Sequence, residues 1–278
     1  MINGLLDFST IDTEEKAYLL GLYGADGNVF SAKNQVSLYL AGEDGKFLEK
    51  VKMIMGIKTK ITESRNRIMT SPLTGKKYAT QIQYTLRVSS SKLCNEFIKH
   101  NIVPAKSKIL SPPSSTPKNL IRHYIRGYVD GDGSVVYRNR NSKCCVYSGS
   151  KRMLDYIQLH FRDYYPNKCK VLSSRNTYVL GYANYSAYQF VKFLYSDCSL
   201  SLPRKYRNAV DIIQDYETNN YKPHIKTYWS AEEIAFLQMN YGTIGNKQIS
   251  LLLDRSIASI VWKAGQLGIR RITGFGGD

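Results

Sequence analysis

Two aspartates, Asp26 and Asp132, stand where two look-alike segments run out. Residues 13–27 read TEEKAYLLGLYGADG and residues 119–133 read NLIRHYIRGYVDGDG. Both are amphipathic helical patterns that close on a small residue, Asp and Gly. A helix end is an unfavourable place for an anion, because its carbonyls already carry partial negative charge. A single Asp-Gly there would read as a turn. Two of them, on helices paired about a pseudo-twofold axis, would crowd carboxylates and carbonyls together, and only cations relieve that crowding. Carboxylate, carbonyl and water oxygens suit Mg²⁺ or a similar hard ion. Gly21 and Gly127, six residues ahead of the closing glycines, would let the two helix backbones approach closely. Each copy also ends in Pro-x-Lys, Pro104-Ala105-Lys106 and Pro203-Arg204-Lys205, with Lys106 80 residues after Asp26 and Lys205 73 after Asp132.

Other metal chemistry fits less well. Asp130-Gly131-Asp132-Gly133-Ser134 begins like a calcium loop, but Val135 takes the place of the obligatory Gly and Asn141 that of the bidentate Glu. Cys94, Cys144, Cys145, Cys169 and Cys198 are odd in number and hold no Cys-x-x-Cys pair, which argues against a disulfide framework and a structural zinc site. His100, His123, His160 and His224 are too scattered to suggest a histidine-based metal nuclease.

The surrounding elements repeat as well. Asp12 with Glu15 reads as a capping box, and Thr116-Pro117 as an N-cap followed by Pro in the first turn. After the first helix come strand-like runs over 28–40, a helix over 44–55, strands over 58–69 and 78–90, and a helix over 91–100. After the second come strands near 134–139 and 143–149, a helix over 151–164, strands near 169–175 and 177–183, and a helix over 185–196. The Pro- and Ser-rich stretch 111–117 links the copies. Three short helices are expected in the tail, over 230–240, 246–253 and 256–268, with Ile257, Ile260, Val261, Ala264 and Leu267 as the apolar stripe of the third.

Charge names the class of partner. The 278 residues carry 39 Lys+Arg against 22 Asp+Glu, a net +17, and are 43% apolar, enough for a real core. Residues 1–222 hold 33 basic and 18 acidic residues, whereas 223–278 hold 6 and 4. Such a balance predicts an extended anionic partner, nucleic acid or an acidic membrane surface. No apolar run approaches the ~18 residues of a membrane span, and the opening Met1-Ile2-Asn3-Gly4-Leu5 lacks the pattern of a secretory signal. An intracellular location with the DNA is expected, in a bacterial or phage-infected cell or an organelle. The 22 tyrosines, many interleaved with Arg and Lys, suit a nucleic-acid surface, although most are explained as half-exposed strand residues.

The two segments resemble the paired signature of the LAGLIDADG homing endonucleases. Leu19-Leu20-Gly21-Leu22-Tyr23-Gly24-Ala25-Asp26-Gly27 carries the first copy and Ile125-Arg126-Gly127-Tyr128-Val129-Asp130-Gly131-Asp132-Gly133 the second. The resemblance covers roughly 13–210 and implies an α+β fold: duplicated αββαββα units, 1–110 and 111–222, with two saddle-shaped antiparallel sheets astride DNA. It implies a monomer that cuts both strands of a long double-stranded target across the minor groove. Asp26 and Asp132 fall on the catalytic acids, the carbonyls of Ala25 and Gly131 on further metal ligands, and Lys106 and Lys205 on the basic residues. The metal implied is Mg²⁺ or another divalent cation such as Mn²⁺. The first motif departs by Gly24, where the pattern has an earlier Asp that serves helix-end packing.

On that reading, Arg65, Arg67, Lys76, Lys77 and Arg87 of the first repeat and Arg138, Arg140, Lys143 and Arg175 of the second are DNA contacts. Residues 223–278 resemble a Myb/SANT-type or phage helix-turn-helix, a small all-α module that would use Arg255, Ser259, Trp262 and Lys263 on DNA; the alternative is a helical cap. Two rivals share the fold: a DNA-binding transcription regulator on a degenerate copy, and a maturase that binds intron RNA. Both aspartates and both lysines being present weighs against the regulator. An intein is disfavoured, since Met1 and Asp278 offer no splice-junction chemistry.

Overall fold

The computed structural model describes residues 4–65, 68–71, 74–113, 115–138, 141–165, 169–219 and 229–269. Helix α1 (Glu14–Asp26) leads straight into β1 (Gly27–Phe30) and β2 (Gln35–Ala41). They are followed by α2 (Phe47–Ile54), β3 (Thr62–Glu63), β4 (Ile68–Thr70), β5 (Lys77–Ala79), β6 (Gln83–Ser89) and α3 (Ser91–Lys99). The second half runs α4 (Ile121–Asp132), β7 (Gly133–Arg138), β8 (Asn141–Ser148), α5 (Lys151–Arg162), β9 (Leu172–Ser174), β10 (Thr177–Ala183), α6 (Tyr185–Tyr195) and α7 (Pro203–Thr218). Two antiparallel four-stranded sheets result, ordered β1-β2-β6-β3 and β7-β8-β10-β9, so the repetition in sequence is a repetition in topology. The fold class is α+β, as the sequence implied.

Apolar alternation explains the sheets. Val36, Leu38, Leu40, Leu86 and Val88 in the first, and Val135, Cys144, Val146, Leu180 and Tyr182 in the second, point into one core with the helices. Helix α1 departs from expectation: it is buried on every side from Lys16 through Gly24, not amphipathic, because another helix covers the face its own sheet leaves open. That helix is α4. A Cβ on Gly21 would fall deep inside contact with the Tyr124 carbonyl, and one on Gly127 equally so with that of Tyr18. The two backbones therefore touch.

Several local expectations are corrected. The N-cap of α1 is Thr13, whose Oγ1 accepts from Lys16 N at 3.3 Å, while Asp12 ion-pairs with Lys16 Nζ at 2.8 Å. Thr116 caps nothing: its hydroxyl is buried without a partner among the described residues, and a 3-10 turn, Lys118–Leu120, starts α4. The strand expected over 58–69 is broken, with β3 on the four-stranded sheet and β4 paired with β5 in a separate two-stranded one. The strand expected over 78–90 is broken likewise, between β5 and β6. Helix α7 was not foreseen, yet Pro203 at its first turn and the buried spacing Lys205, Ala209, Ile212, Tyr216 are ordinary helix signals.

Residues 224–278 form a second compact unit. Its described part is three helices, α8 (Ala231–Asn240), α9 (Asn246–Leu253) and α10 (Ile257–Gln266), around Leu237, Tyr241, Ile249, Ile260 and Ala264. The stripe expected on α10 is half right: Ile260 and Ala264 are buried, whereas Ile257 and Val261 are exposed. A reciprocal capping box opens α8, Ser230 Oγ accepting from Glu233 N and Glu233 Oε2 from Ser230 N. Ser230→Ala should cost this unit about 1 kcal/mol in thermal unfolding. An unchanged midpoint would show the cap to be idle.

Candidate active site

The shared termination of α1 and α4 builds the site. Because Gly21 and Gly127 bring the backbones into contact, the C-termini of the two helices abut: a carbon added to Gly131 would lie 3.1 Å from Asp26 Oδ2 and collide with the Cβ of Ala25. Asp26 and Asp132, both half-buried, thus share one seam. Burial and the neighbouring Asp132 push the Asp26 carboxyl up to about 6, against the pull of Lys205 and Lys106. Burial raises the Asp132 carboxyl too, opposed by Lys106, the Tyr128 hydroxyl and Lys205.

Both lysines foreseen from Pro-x-Lys reach this seam and are buried. Lys106 Nζ donates to the carbonyls of Ala25 at 3.1 Å and Gly27 at 2.6 Å. Lys205 Nζ donates to those of Val129 at 2.9 Å, Asp130 at 2.5 Å and Gly131 at 3.2 Å. Each ammonium therefore neutralises the negative end of its own repeat's helix. Burial lowers the pKa of both, with Asp132 and Asp26 holding up that of Lys106, and Asp130 that of Lys205. The coupling is crossed: the cation acting most on Asp26 is Lys205, and on Asp132 it is Lys106. A cleft of about 330 Å³ opens here, lined by Gly24, Ala25, Lys106, Tyr128, Asp132 and Tyr147 among others.

The donor set partly fits a hard divalent cation. Two carboxylates whose protonation is favoured by burial, and in Asp26 also by the neighbouring Asp132, are what such an ion would relieve. The carbonyl oxygens of Ala25 and Gly131, expected as further metal ligands, already accept hydrogen bonds from Lys106 and Lys205. Among the described residues no group of three or more His, Cys, Asp or Glu is placed so that it could hold a metal ion.

The two halves differ beneath the lysines. Asp130, fully buried, accepts from Tyr18 Oη, Tyr195 Oη and Leu202 N, each at 2.7 Å. Arg126, also fully buried, donates to the carbonyls of Leu194 and Leu200 and to Glu14 Oε1, and Glu14 accepts from Ser199 N. Together they fix the segment entering α7, and with it Lys205. The first repeat has Gly24 where Asp130 would be, facing the Tyr124 hydroxyl, which donates to the sulfur of Met153 instead. A further pair crosses the repeats: Arg204 donates from Nε and Nη2 to the two oxygens of Asp44, 160 residues away. Sequence reasoning missed Asp44, because nothing local marks it. Asp130 was named only within its motif.

The candidate DNA contacts separate. Arg65, Lys76 and Lys77 are exposed at the β4–β5 hairpin and its approach, Arg87 on the outer face of β6, Arg138 and Lys143 on that of β7 and β8, and Arg175 in the β9–β10 turn. Arg67 and Arg140 lie outside the described residues. In the second unit Trp262 is 62% exposed, while Ser259 and Lys263 are half-buried. Arg255 is a correction: it is drawn inward, donating to both oxygens of Glu233 at 2.7 Å and lying over the Trp229 ring, so it holds α8 to the segment before α10. Its sequence position beside an exposed helix gave no hint of that partner.

The family model described as a LAGLIDADG-like domain matches residues 13–100 and 119–163 of the chain. No curated protein matches. Among solved structures, full-length DUF199/WhiA from Thermatoga maritima is 12% identical, with a TM-score of 0.44 over 94% of this chain and 93% of that one. The homing endonuclease I-WcaI bound to its DNA recognition sequence is 11% identical, with a TM-score of 0.47 over 71% and 87%. I-DmoI in complex with DNA and Mn is 17% identical, with a TM-score of 0.43 over 69% and 99%. No described helix is long and apolar enough to cross a membrane.

Proposed function

We propose that the protein is a site-specific, metal-dependent endonuclease acting on a long double-stranded DNA target, a homing endonuclease of the two-motif, single-chain kind that works as a monomer inside the cell alongside that DNA. One observation carries the reading: two carboxylates from duplicated halves meet at abutting helix ends, beside one buried lysine from each half. A bare DNA-binding platform has no need of that costly burial. The net +17 charge supports an anionic partner.

Asp26 and Asp132 would hold the divalent cations, Mg²⁺ or Mn²⁺. When bound, these would supply Lewis-acid activation of water and charge neutralisation at each scissile phosphate. The protein's own groups do the rest. Lys106 and Lys205, held rigidly on carbonyls, stabilise the extra negative charge that develops on the phosphate under attack. The close helix seam keeps the two acids at one fixed separation, so that the two strands are cut at a set offset. Lys106→Met or Lys205→Met should each slow cleavage about 10²–10³-fold, and the slower strand should differ between the two variants when nicked intermediates are followed. Equal slowing of both strands by both variants would remove the lysines from the chemistry.

Arg65, Lys76, Lys77, Arg87, Arg138, Lys143 and Arg175 would grip the duplex along the sheets. The C-terminal unit, read as a helix-turn-helix, would extend the footprint through Trp262, Lys263 and Ser259. Deleting 223–278 should shorten the protected segment and retain nicking; an unchanged footprint would make this unit a cap. The deciding experiment is incubation of a linear DNA library with the protein and Mg²⁺. Discrete double-strand cuts support the endonuclease. Selective binding without cuts in Mg²⁺ or Mn²⁺ would make the protein a DNA-binding regulator.

A further inference from the structure

The duplication allows the outer faces of the two sheets to be compared position by position, because equivalent strands pair in equivalent register. In the first sheet Gly27 lies opposite Leu38 and Leu38 opposite Leu86; in the second Gly133 lies opposite Val146 and Val146 opposite Leu180. Counting outward from these anchors, Ser37 corresponds to Cys145, Thr85 to Val179 and Arg87 to Gly181. Thr62, opposite Thr85, corresponds to Leu172, opposite Val179. The contrast is sharpest where the first face is exposed and polar, at Thr62 and Arg87, which the second replaces by Leu172 and Gly181. Ser37 and Thr85 are themselves buried, and Phe30 and Tyr39 stand where the second face has Val136 and Tyr147.

We infer that the two sheets read DNA by different chemistry: the second presents its apolar face to thymine 5-methyl groups in the major groove of one half of the target, and the first reads the other half through hydrogen bonds. This rests on the duplex-DNA reading above. The patch consists of Val136, Cys145, Tyr147, Leu172 and Val179, with Leu172 60% exposed and Val136 and Tyr147 nearly half exposed. Two features commit it to DNA. Lys143, Arg138 and Arg175 border the patch, and no acidic residue occurs in any of β7–β10, so the charge complements phosphate. The patch is also continuous with the catalytic cleft, whose lining includes Tyr147 and Thr177 together with Asp132 and Lys106. Thymine is the one base with a methyl group in that groove, and apolar side chains select it, whereas Arg recognises guanine through O6 and N7. Arg87 can make the guanine contact; Gly181 cannot.

The perturbation can be placed in the DNA, where it leaves protein folding untouched. Binding sites are selected from a randomised duplex library with the full chain and no divalent metal. The selected duplex is then resynthesised with deoxyuridine for thymidine in one half at a time. Uracil in one half should weaken binding several-fold, and uracil in the other should leave it unchanged. Leu172→Thr with Val179→Thr, which installs the first sheet's residues, should erase the thymine–uracil difference while binding persists. Arg87→Ala should relax base preference only in the half insensitive to uracil. Tight, selective binding with no uracil effect, or with equal effects in both halves, overturns the inference and leaves the endonuclease reading standing. Failure to bind any duplex overturns both. A stable dimer of the free chain that Leu172→Thr dissolves would assign the patch to a second copy and overturn it as well.

Discussion

Asp26→Asn and Asp132→Asn are each expected to abolish double-strand cleavage, a loss above about 10³-fold, on the scale of removing a principal electrostatic stabiliser. DNA affinity should be nearly unchanged, since neither side chain donates a charge that phosphate wants. Both substitutions should also make the protein more stable at neutral pH when metal is absent. The sign follows from the raised carboxyl. Asp26 is pushed up to about 6 in the folded chain from an ordinary 3.8, so the folded state holds this proton more tightly than the unfolded one. Its contribution to stability is complete below about pH 3.8 and is lost as the pH rises through about 6. Above that window the fold carries a desolvated carboxylate facing another. Asparagine removes the charge, and a gain of about 1–3 kcal/mol at pH 8 is the matching scale. Mg²⁺ should then raise the melting temperature of the natural protein and leave that of the double Asn variant unmoved. Plasmid cleavage, mobility shift in EDTA and thermal melts with and without Mg²⁺ test all three. Undiminished cutting by either single variant would end the catalytic assignment.

What the sequence made legible is what duplication made legible. Asp26 and Asp132, or Gly21 and Gly127, are each weak signals alone and persuasive as pairs, because a repeated unit must use its repeated positions in the same way. The strands at 27–41 and 133–148 were readable for a second reason, since a half-buried strand writes its burial into alternate residues. Non-repeated features were invisible. Asp44 meets Arg204 across 160 residues with no equivalent in the other half, and Arg255 turns inward to a glutamate 22 positions earlier. A hairpin was readable in this region, but the breaks that part β4 and β5 from the sheet were hidden, because exposed Ile68 and Met69 imitate a core strand. Helix α1 defeated the amphipathic reading for the opposite reason: a helix enclosed on all sides has no polar face to mark its period.

The largest stability effect should come from the smallest substitution. Gly21→Ala or Gly127→Ala would place a methyl group against a backbone carbonyl of the facing helix, that of Tyr124 or Tyr18. A crowded side chain can rotate away, whereas a carbonyl within a helix cannot leave without its whole turn. Ordinary overpacking costs about 1–3 kcal/mol, occasionally more, and these two positions belong at or above the top of that range. Gly24→Ala supplies the control in the same helix. It is equally buried, but its added carbon would sit 3.6 Å or more from its neighbours, and exchanging a mid-helix glycine for alanine gains about 0.5–1 kcal/mol. In urea unfolding, Gly21→Ala and Gly127→Ala should therefore fall well below the natural protein and Gly24→Ala at or above it. Cleavage should fall further than stability alone accounts for, because any helix separation that relieves the clash also parts Asp26 from Asp132. If Gly21→Ala and Gly24→Ala unfold alike, the helices do not touch through their backbones, and the reason for two acids meeting at one seam goes with that contact.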